Sequence, residues 1–519
     1  MNNLAKLLLV IFLSLPCSVF SQKYEKRGEQ YLKVGNFSRA IKDFERALRR
    51  MPANKQLHRN LVLCYLESNV DKAAALQYTS FLITNDTTAI NLLNHSKAQF
   101  YNYQFENSLK GFERVKKLEN EKLELYLEAD LYIKWCLNAQ AFVKSPVDVE
   151  FVNLGSGINT KENELNPFVT QNEDKLVYSN DKRYHSYAGV NYFNANISVR
   201  DKNKWTKGKS LGSAINSEYD EIVSGYHPDG EELFVFHNRK GTEVLASSKY
   251  KGNNRYDDIV EFEHLTEKKK GVFGVSLTTS GDTLLFAAEN ENGDTDIYYS
   301  IKLPNGEFGE SRVFSENINT SGDENFPALS YNNKRIYFSS TGENSMGGAD
   351  LFYSDYDEEK KEWSKPVNMG YPINDLYDNY SISWVKNHRY AYVSAIRPEG
   401  YGQRDLYKLI FQKIKPQPII IKGSVIEQNS EGTSLITSSM HVELMDTTNT
   451  DLLGMYSCSG DSSNFVLALN PGDYLLNFYK DGELTYSESL NISDMLYATI
   501  PEKMLFILPL KEDALEKDK

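Results

Sequence analysis

The chain has 519 residues, 25% of them charged, and a formal net charge of −13. That length exceeds a single hydrophobic core and points to about three domains. The acidic balance argues against a nucleic-acid footprint, which would be basic, and four cysteines over this length cannot make a disulfide framework.

The first predicted element is an export signal. Lys6 precedes an apolar run, Leu7–Leu15, broken only by Ser14, and Val19-Phe20-Ser21 puts a small residue just before Gln22. The run is shorter than the ~20 apolar residues of a membrane span. Cleavage near Ser21–Gln22, over residues 1–21, and a periplasmic mature protein are therefore expected. Cys17 offers a lipidation alternative, which Pro16 immediately before it disfavours. Cys64 and Cys136 stand in apolar helical contexts and are expected to be buried free thiols.

Residues 22–145 are predicted to be helical repeats. Tyr24, Gly28, Tyr31, Ala40, Phe44, Ala47 and Pro52 follow one another at the intervals of a helix pair. Gly28 and Ala40 are small where two helices must touch, Tyr31 and Phe44 fill the space between them, and Pro52 ends the second helix. One period on stand Leu61, Tyr65, Ala74 and Tyr78; another period on, Phe105, Ser108 and Phe112 replace Phe37, Ala40 and Phe44. Leu123–Val143 reads as one or two capping helices. The block resembles the tetratricopeptide repeat family, whose period is ~34 residues. The resemblance implies a concave groove lined by the first helix of each pair, with Glu25, Glu29, Arg59 and Leu63 as partner-binding residues.

From about Pro146 to residue 412 the pattern becomes strand-like and repeats about five times. Apolar strands recur at Leu176-Val177-Tyr178, Leu233-Phe234-Val235, Leu284-Leu285-Phe286, Ile336-Tyr337-Phe338 and Ala391-Tyr392-Val393. Aligning them brings Asn163, Asp220, Gly271, Asp323 and Asp378 to one equivalent position. The phrase Ile-Asn-Thr, or a close variant, recurs at Ile158, Ile215, Ile318 and Ile373, and an aromatic turn at Trp205, Phe308 and Trp363. Short strands repeated at about 50 residues make propeller blades. Phe326-Pro327-Ala328 and Gly347-Gly348-Ala349-Asp350 resemble TolB-type propeller repeats. A five-bladed ring is expected, with six blades and one degenerate copy as the alternative. The last unit lacks its outermost strand, and the alternating run Val147–Val152 is placed to supply it.

After the basic linker Lys413–Pro418, alternating apolar residues and the Pro471-Gly472 turn predict half-buried strands. Residues 413–510 resemble the carboxypeptidase regulatory-like β-sandwich, and 511–519 form a charged tail. The fold class is thus multidomain, α plus all-β, and the three units are expected to fold separately.

Chemistry is scarce along the chain. It holds no Gly-x-Ser-x-Gly, no His-Glu-x-x-His and no paired-cysteine zinc spacing. His227, His237 and His264 lack ligand spacing. Asn290, Asn292, Asp294 and Asp296 alternate as calcium ligands do, without the rest of the set. The repeated aspartates recur in blade after blade, whereas a catalytic acid is needed once, so they are expected to accept backbone N–H groups in turns. No catalytic residue, metal or cofactor is expected.

The order of modules behind a signal peptide resembles PorE-like periplasmic proteins of Bacteroidota. That resemblance implies a non-enzymatic scaffold linked to type IX secretion or gliding machinery, held to the outer membrane through protein partners such as a barrel protein. The family's usual OmpA-like domain is not found before Lys519, so direct peptidoglycan binding is not expected. A glycan- or peptide-binding module using the propeller mouth is the alternative.

Overall fold

Where two helices cross closely, only small side chains fit, and this sets the register of the first segment. The computed structural model describes residues 22–68, 71–121, 123–201, 204–239, 242–262, 271–414, 419–429, 432–435, 439–447, 451–458, 464–470, 472–492 and 503–508. Residues 1–21 with Cys17, part of the 413–418 linker, His264, Pro471 and residues 509–519 lie outside the described residues. The helices are α1 (22–33), α2 (Phe37–Leu48), α3 (Lys55–Glu67), α4 (Ala75–Asn85), α5 (Ala89–Tyr101), α6 (Phe105–Leu118) and α7 (Glu124–Lys144). The stretch expected to give one or two capping helices is the single helix α7. A Cβ on Gly28 would lie 2.7 Å from the Phe44 ring, and one on Gly111 would lie 2.0 Å from Ser96 Oγ. Those two contacts bring α1 against α2 and α5 against α6. Ala40, Phe44, Ser108 and Phe112, equivalent by repeat, are all fully buried. Asn36 and Asn54 cap α2 and α3 by accepting from their first-turn N–H groups. Cys64 and Cys136 are buried and free, and burial raises their thiols to about 12 and about 11.

From residue 149 to residue 411 the described chain forms five antiparallel sheets in succession. Their first strands are Glu164–Val169, Glu221–Tyr226, Phe273–Leu277, Glu324–Leu329 and Ile382–Trp384. The apolar runs read from the sequence are the second strands, and they are buried. Val149–Asn153 joins the last sheet as its outer strand, with Val149 opposite Phe411 and Asn153 opposite Tyr407. The chain is therefore closed by a strand that precedes the first sheet, as its alternating pattern suggested. First strands of neighbouring sheets lie side by side. Phe326 and Tyr380 bring the fourth and fifth together at 6.0 Å, and Ser381 Oγ donates to Asn166 Oδ1 at 3.3 Å to join the fifth to the first. The approach is close: Gly274 has φ +62°, and a Cβ there would lie 2.4 Å from the Cα of Phe326. Both the backbone angle and the space demand glycine.

The recurring asparagine is the clip between sheets. In each case its side-chain amide behaves as one more residue of β-ladder against the third strand of the preceding sheet. Asn216 Oδ1 accepts from Ala195 N at 2.7 Å while Nδ2 donates to Ala195 O at 2.9 Å. Asn319 does the same to Ile297 (2.9 and 3.0 Å) and Asn374 to Leu351 (2.7 and 2.8 Å). Asn159 grips Leu406 of the last sheet, at 2.8 and 3.1 Å, and so helps close the ring. Buried backbone groups must be paired, and one side chain pairs two of them at four of the five junctions.

The C-terminal region holds two four-stranded sheets. Ile421, Val425, Phe465 and Phe506 from one, and Val442, Leu444, Leu476 and Phe478 from the other, form a single buried cluster.

The helices do not stand apart from the ring. Asn138 Nδ2 donates to the carbonyls of Glu343 and Ser345 at 2.9 and 2.8 Å, and Asn36 Nδ2 to that of Gly189 at 2.8 Å. Val147 N donates to Tyr371 O at 2.6 Å, and Tyr101 packs on Tyr377 at 5.6 Å. Met346 and Leu376 of the sheet region are part of the helical core itself. The expected break near 144–146 is thus spanned by a shared apolar core, because α7 and the ring loops each leave apolar surface that the other covers.

Candidate functional site at the centre of the ring

The repeated acids stand where the first strands enter the ring. Asp323 Oδ1 accepts from Thr295 N at 2.9 Å, Asp220 Oδ1 from Phe193 N at 2.7 Å and Asp378 Oδ1 from Ala349 N at 3.1 Å. Each bond reaches back to the preceding sheet, not to the aspartate's own turn. The expectation of a backbone acceptor holds, and its geometry is between sheets. Asp323→Ala should accordingly lower stability by about 1–2 kcal/mol, the size of one lost hydrogen bond to a charged acceptor. Melting curves of Asp323→Ala, Asp220→Ala and Asp378→Ala should move together; a variant that loses a binding activity without a change in melting would contradict this.

The sequence does not mark the residue next door. Glu164, Glu221 and Glu324 each follow the repeated position and are fully buried. Glu164 accepts from Thr160 N at 2.9 Å and Thr160 Oγ1 at 2.7 Å; Glu324 accepts from Thr320 at 2.8 and 2.7 Å and from Ser340 Oγ at 2.7 Å. Glu221 takes the Ser217 hydroxyl. Burial raises all three carboxyls, Glu164 to about 7, because desolvation disfavours the charged form. The signal in the sequence was the spacing Thr/Ser-x-x-x-Glu, repeated three times.

The four residues expected to line a helical groove are placed as follows. Glu29, Arg59 and Leu63 are exposed and Glu25 is half-buried. Burial and then the nearby Glu29 push the Glu25 carboxyl up, and Arg59 Nη2 reaches Asp86 Oδ2 at 3.4 Å. Glu25 with Glu29, and Arg59 with Asp86, are thus two separate local pairs. Asn290 Oδ1 accepts from the N–H groups of Asn292 and Asp294, and Asn290 Nδ2 donates to Asp296, so the suggested calcium run is an ordinary turn held by its own amide. His227 faces Asp229, and His237 faces Glu261 at 3.3 Å. Among the described residues no three His, Cys, Asp or Glu side chains gather as a cation would need.

What the ring does enclose is a cavity of about 460 Å³ on its axis, walled by Leu165, Phe193, Ile222, Phe236, Phe326 and Tyr380. Arg404 and Asn325 also line it. Arg404 is 3% exposed; its Nη1 donates to the carbonyls of Asp378 and Ser394 at 2.9 and 3.3 Å. Its Nη2, and Asn325 Oδ1, are buried without a partner. A second cleft of about 530 Å³ runs between the ring and the helices, past Phe37, Arg39 and Gln403, and shares Asn163 with the lining of the axial cavity.

No family model matches the chain, and no curated protein matches it. Among solved structures, TolB from Acinetobacter baumannii is 11% identical over 56% of this chain and 70% of its own, with a TM-score of 0.34. The first TPR domain of the human RPAP3 protein is 22% identical, covering 24% of this chain and 93% of its own, at 0.20. A sialidase of Trypanosoma rangeli is 9% identical over 66% and 88%, at 0.33. Identities and scores of this size carry no residue-by-residue correspondence.

Proposed function

We propose that this protein is a non-enzymatic periplasmic scaffold that joins an outer-membrane complex to other components of a bacterial envelope. Its parts are then a leader at 1–21, tetratricopeptide repeats at 22–145, a five-bladed TolB-type propeller at 146–412 and a carboxypeptidase regulatory-like sandwich at 413–510. The order of these modules aligns it with the PorE-like proteins tied to type IX secretion or gliding. The observation that carries the reading is the seat of the helices on the ring. They are fixed to it through Asn36, Asn138 and the shared apolar core, yet Glu29, Arg59 and Leu63 remain exposed. A repeat block held on a base while its recognition face stays open suits a connector between partners.

Affinity purification from the native bacterium tests this. An outer-membrane barrel protein or other envelope components should co-purify, and Glu29→Lys with Arg59→Glu should release them. A clean monomer would overturn the scaffold. A second reading, a glycan- or peptide-binding module, is supported by the axial cavity with its unpartnered Arg404 and Asn325 atoms.

A further inference from the structure

We infer that the axial cavity binds the C-terminal residue of a peptide, with its free carboxylate on Arg404 and an apolar side chain against the ring wall. The inference rests on the second of the two readings above and is independent of the scaffold role.

The polar half of the site is Arg404. A guanidinium has five N–H donors in a planar fork, and here only Nη1 is spent, on two backbone carbonyls. Nη2 is buried and has no acceptor, and Arg404 is one of the residues that line the cavity. Two carboxylates lie nearby, Asp378, whose Oδ1 takes Ala349 N, and Asp375, whose Oδ1 takes Tyr377 N, and neither hydrogen-bonds Nη2. A buried donor left unmade costs free energy until a ligand supplies the acceptor, and a charged acceptor forms the stronger bond. Asn325 Oδ1 is the complementary orphan. It wants a donor, and the amide N–H of a terminal residue is one.

The apolar half is the wall, six aliphatic and aromatic side chains around about 460 Å³. That is the size and lining of a site that holds a small, mostly apolar group by a few placed polar atoms. The neighbouring cleft, which shares Asn163 with the lining of the cavity, argues for a chain end over a free small acid. The residues preceding the terminus would lie toward that cleft, between helices and ring.

The test uses the full chain, immobilised, and a pool of degenerate hexapeptides ending in Leu, Ile or Phe, made once as free acids and once as amides. The acids should be retained about tenfold or more over the amides. Arg404→Met should abolish the preference; because it also loses two backbone contacts, Ile222→Trp, which fills the cavity from its wall, serves as the second variant and should abolish retention in a protein of normal circular dichroism. Equal retention of acids and amides, lost in Ile222→Trp, would overturn the carboxylate assignment and leave peptide binding standing. Retention of neither pool would overturn both. Retention unchanged by Ile222→Trp would place binding elsewhere and also overturn the proposal.

Discussion

Replacing Glu173 by Gln should cost about 3–5 kcal/mol of stability and lower the melting temperature by roughly 10 °C. Glu173 stands in the turn between the first two strands of the first sheet. Its Oε1 accepts from Lys408 Nζ at 2.6 Å and Tyr392 OH at 2.5 Å, both from the last sheet, and Oε2 meets Arg200 Nη1 at 2.6 Å. The side chains of Glu173, Lys408 and Arg200 are each 4% exposed. One carboxylate therefore sits between two buried cations at the seam where the ring closes. Gln removes the negative charge and leaves the cations facing one another in a poorly solvated place, which is the expensive way to break a buried pair. Adding Lys408→Met should recover part of the loss, because the uncompensated charge goes with it; a double-mutant cycle by chemical denaturation measures the coupling. A single-variant loss below about 1 kcal/mol would mean that the seam is held by its other contacts, among them the Asn159 clip, the Val149–Asn153 strand and the Ser381–Asn166 bond.

Much of this architecture was legible from local pattern, and the reasons for the rest are physical. The second strands announced themselves because they are buried on both faces and read as short apolar runs. The helix pair around Gly28 and Phe44 was legible because close packing restricts side-chain size at fixed intervals. The closing strand showed in the alternation of residues 147–152. The Ile-Asn-Thr phrase was visible as a repeat, but its work was not. An asparagine in a loop ordinarily serves its own turn, whereas Asn216, Asn319 and Asn374 serve the sheet before them. Glu164, Glu221 and Glu324 were not legible because fully buried glutamates are uncommon. The seat of the helices was not legible at all. It depends on pairs such as Asn138 with Ser345 and Asn36 with Gly189, far apart in the chain and with no shared period. Arg404 had no signal either, since it is a single residue just before the recurring Asp405-Leu406-Tyr407 phrase and nothing in its neighbours marks it as buried.

The buried glutamates lead to the second large expectation, that the ring is more stable in mild acid than at neutral pH. Burial raises the Glu164 carboxyl from 4.5 to about 7, and burial raises Asp375 from 3.8 to about 6. Between the unfolded and folded values the folded protein keeps a proton that the unfolded chain has released. The stabilisation is thus complete below about pH 4.5 for Glu164 and is lost as pH rises to about 7. For Glu164 alone the change across that window is on the order of 3 kcal/mol. Glu221, Glu324 and Asp220 are raised by burial as well and act in the same direction. Glu164→Gln separates this group from the others. An amide imitates the protonated acid, accepting Thr160 N–H through its oxygen and donating to Thr160 Oγ1, the two partners the carboxyl has now. The variant should match the parent near pH 5 and exceed it near pH 8, so the difference between their melting curves should open over pH 5–8. Parallel curves across that range, or a variant weaker than the parent at pH 8, would show that Glu164 is held as a carboxylate by its two donors in spite of its burial.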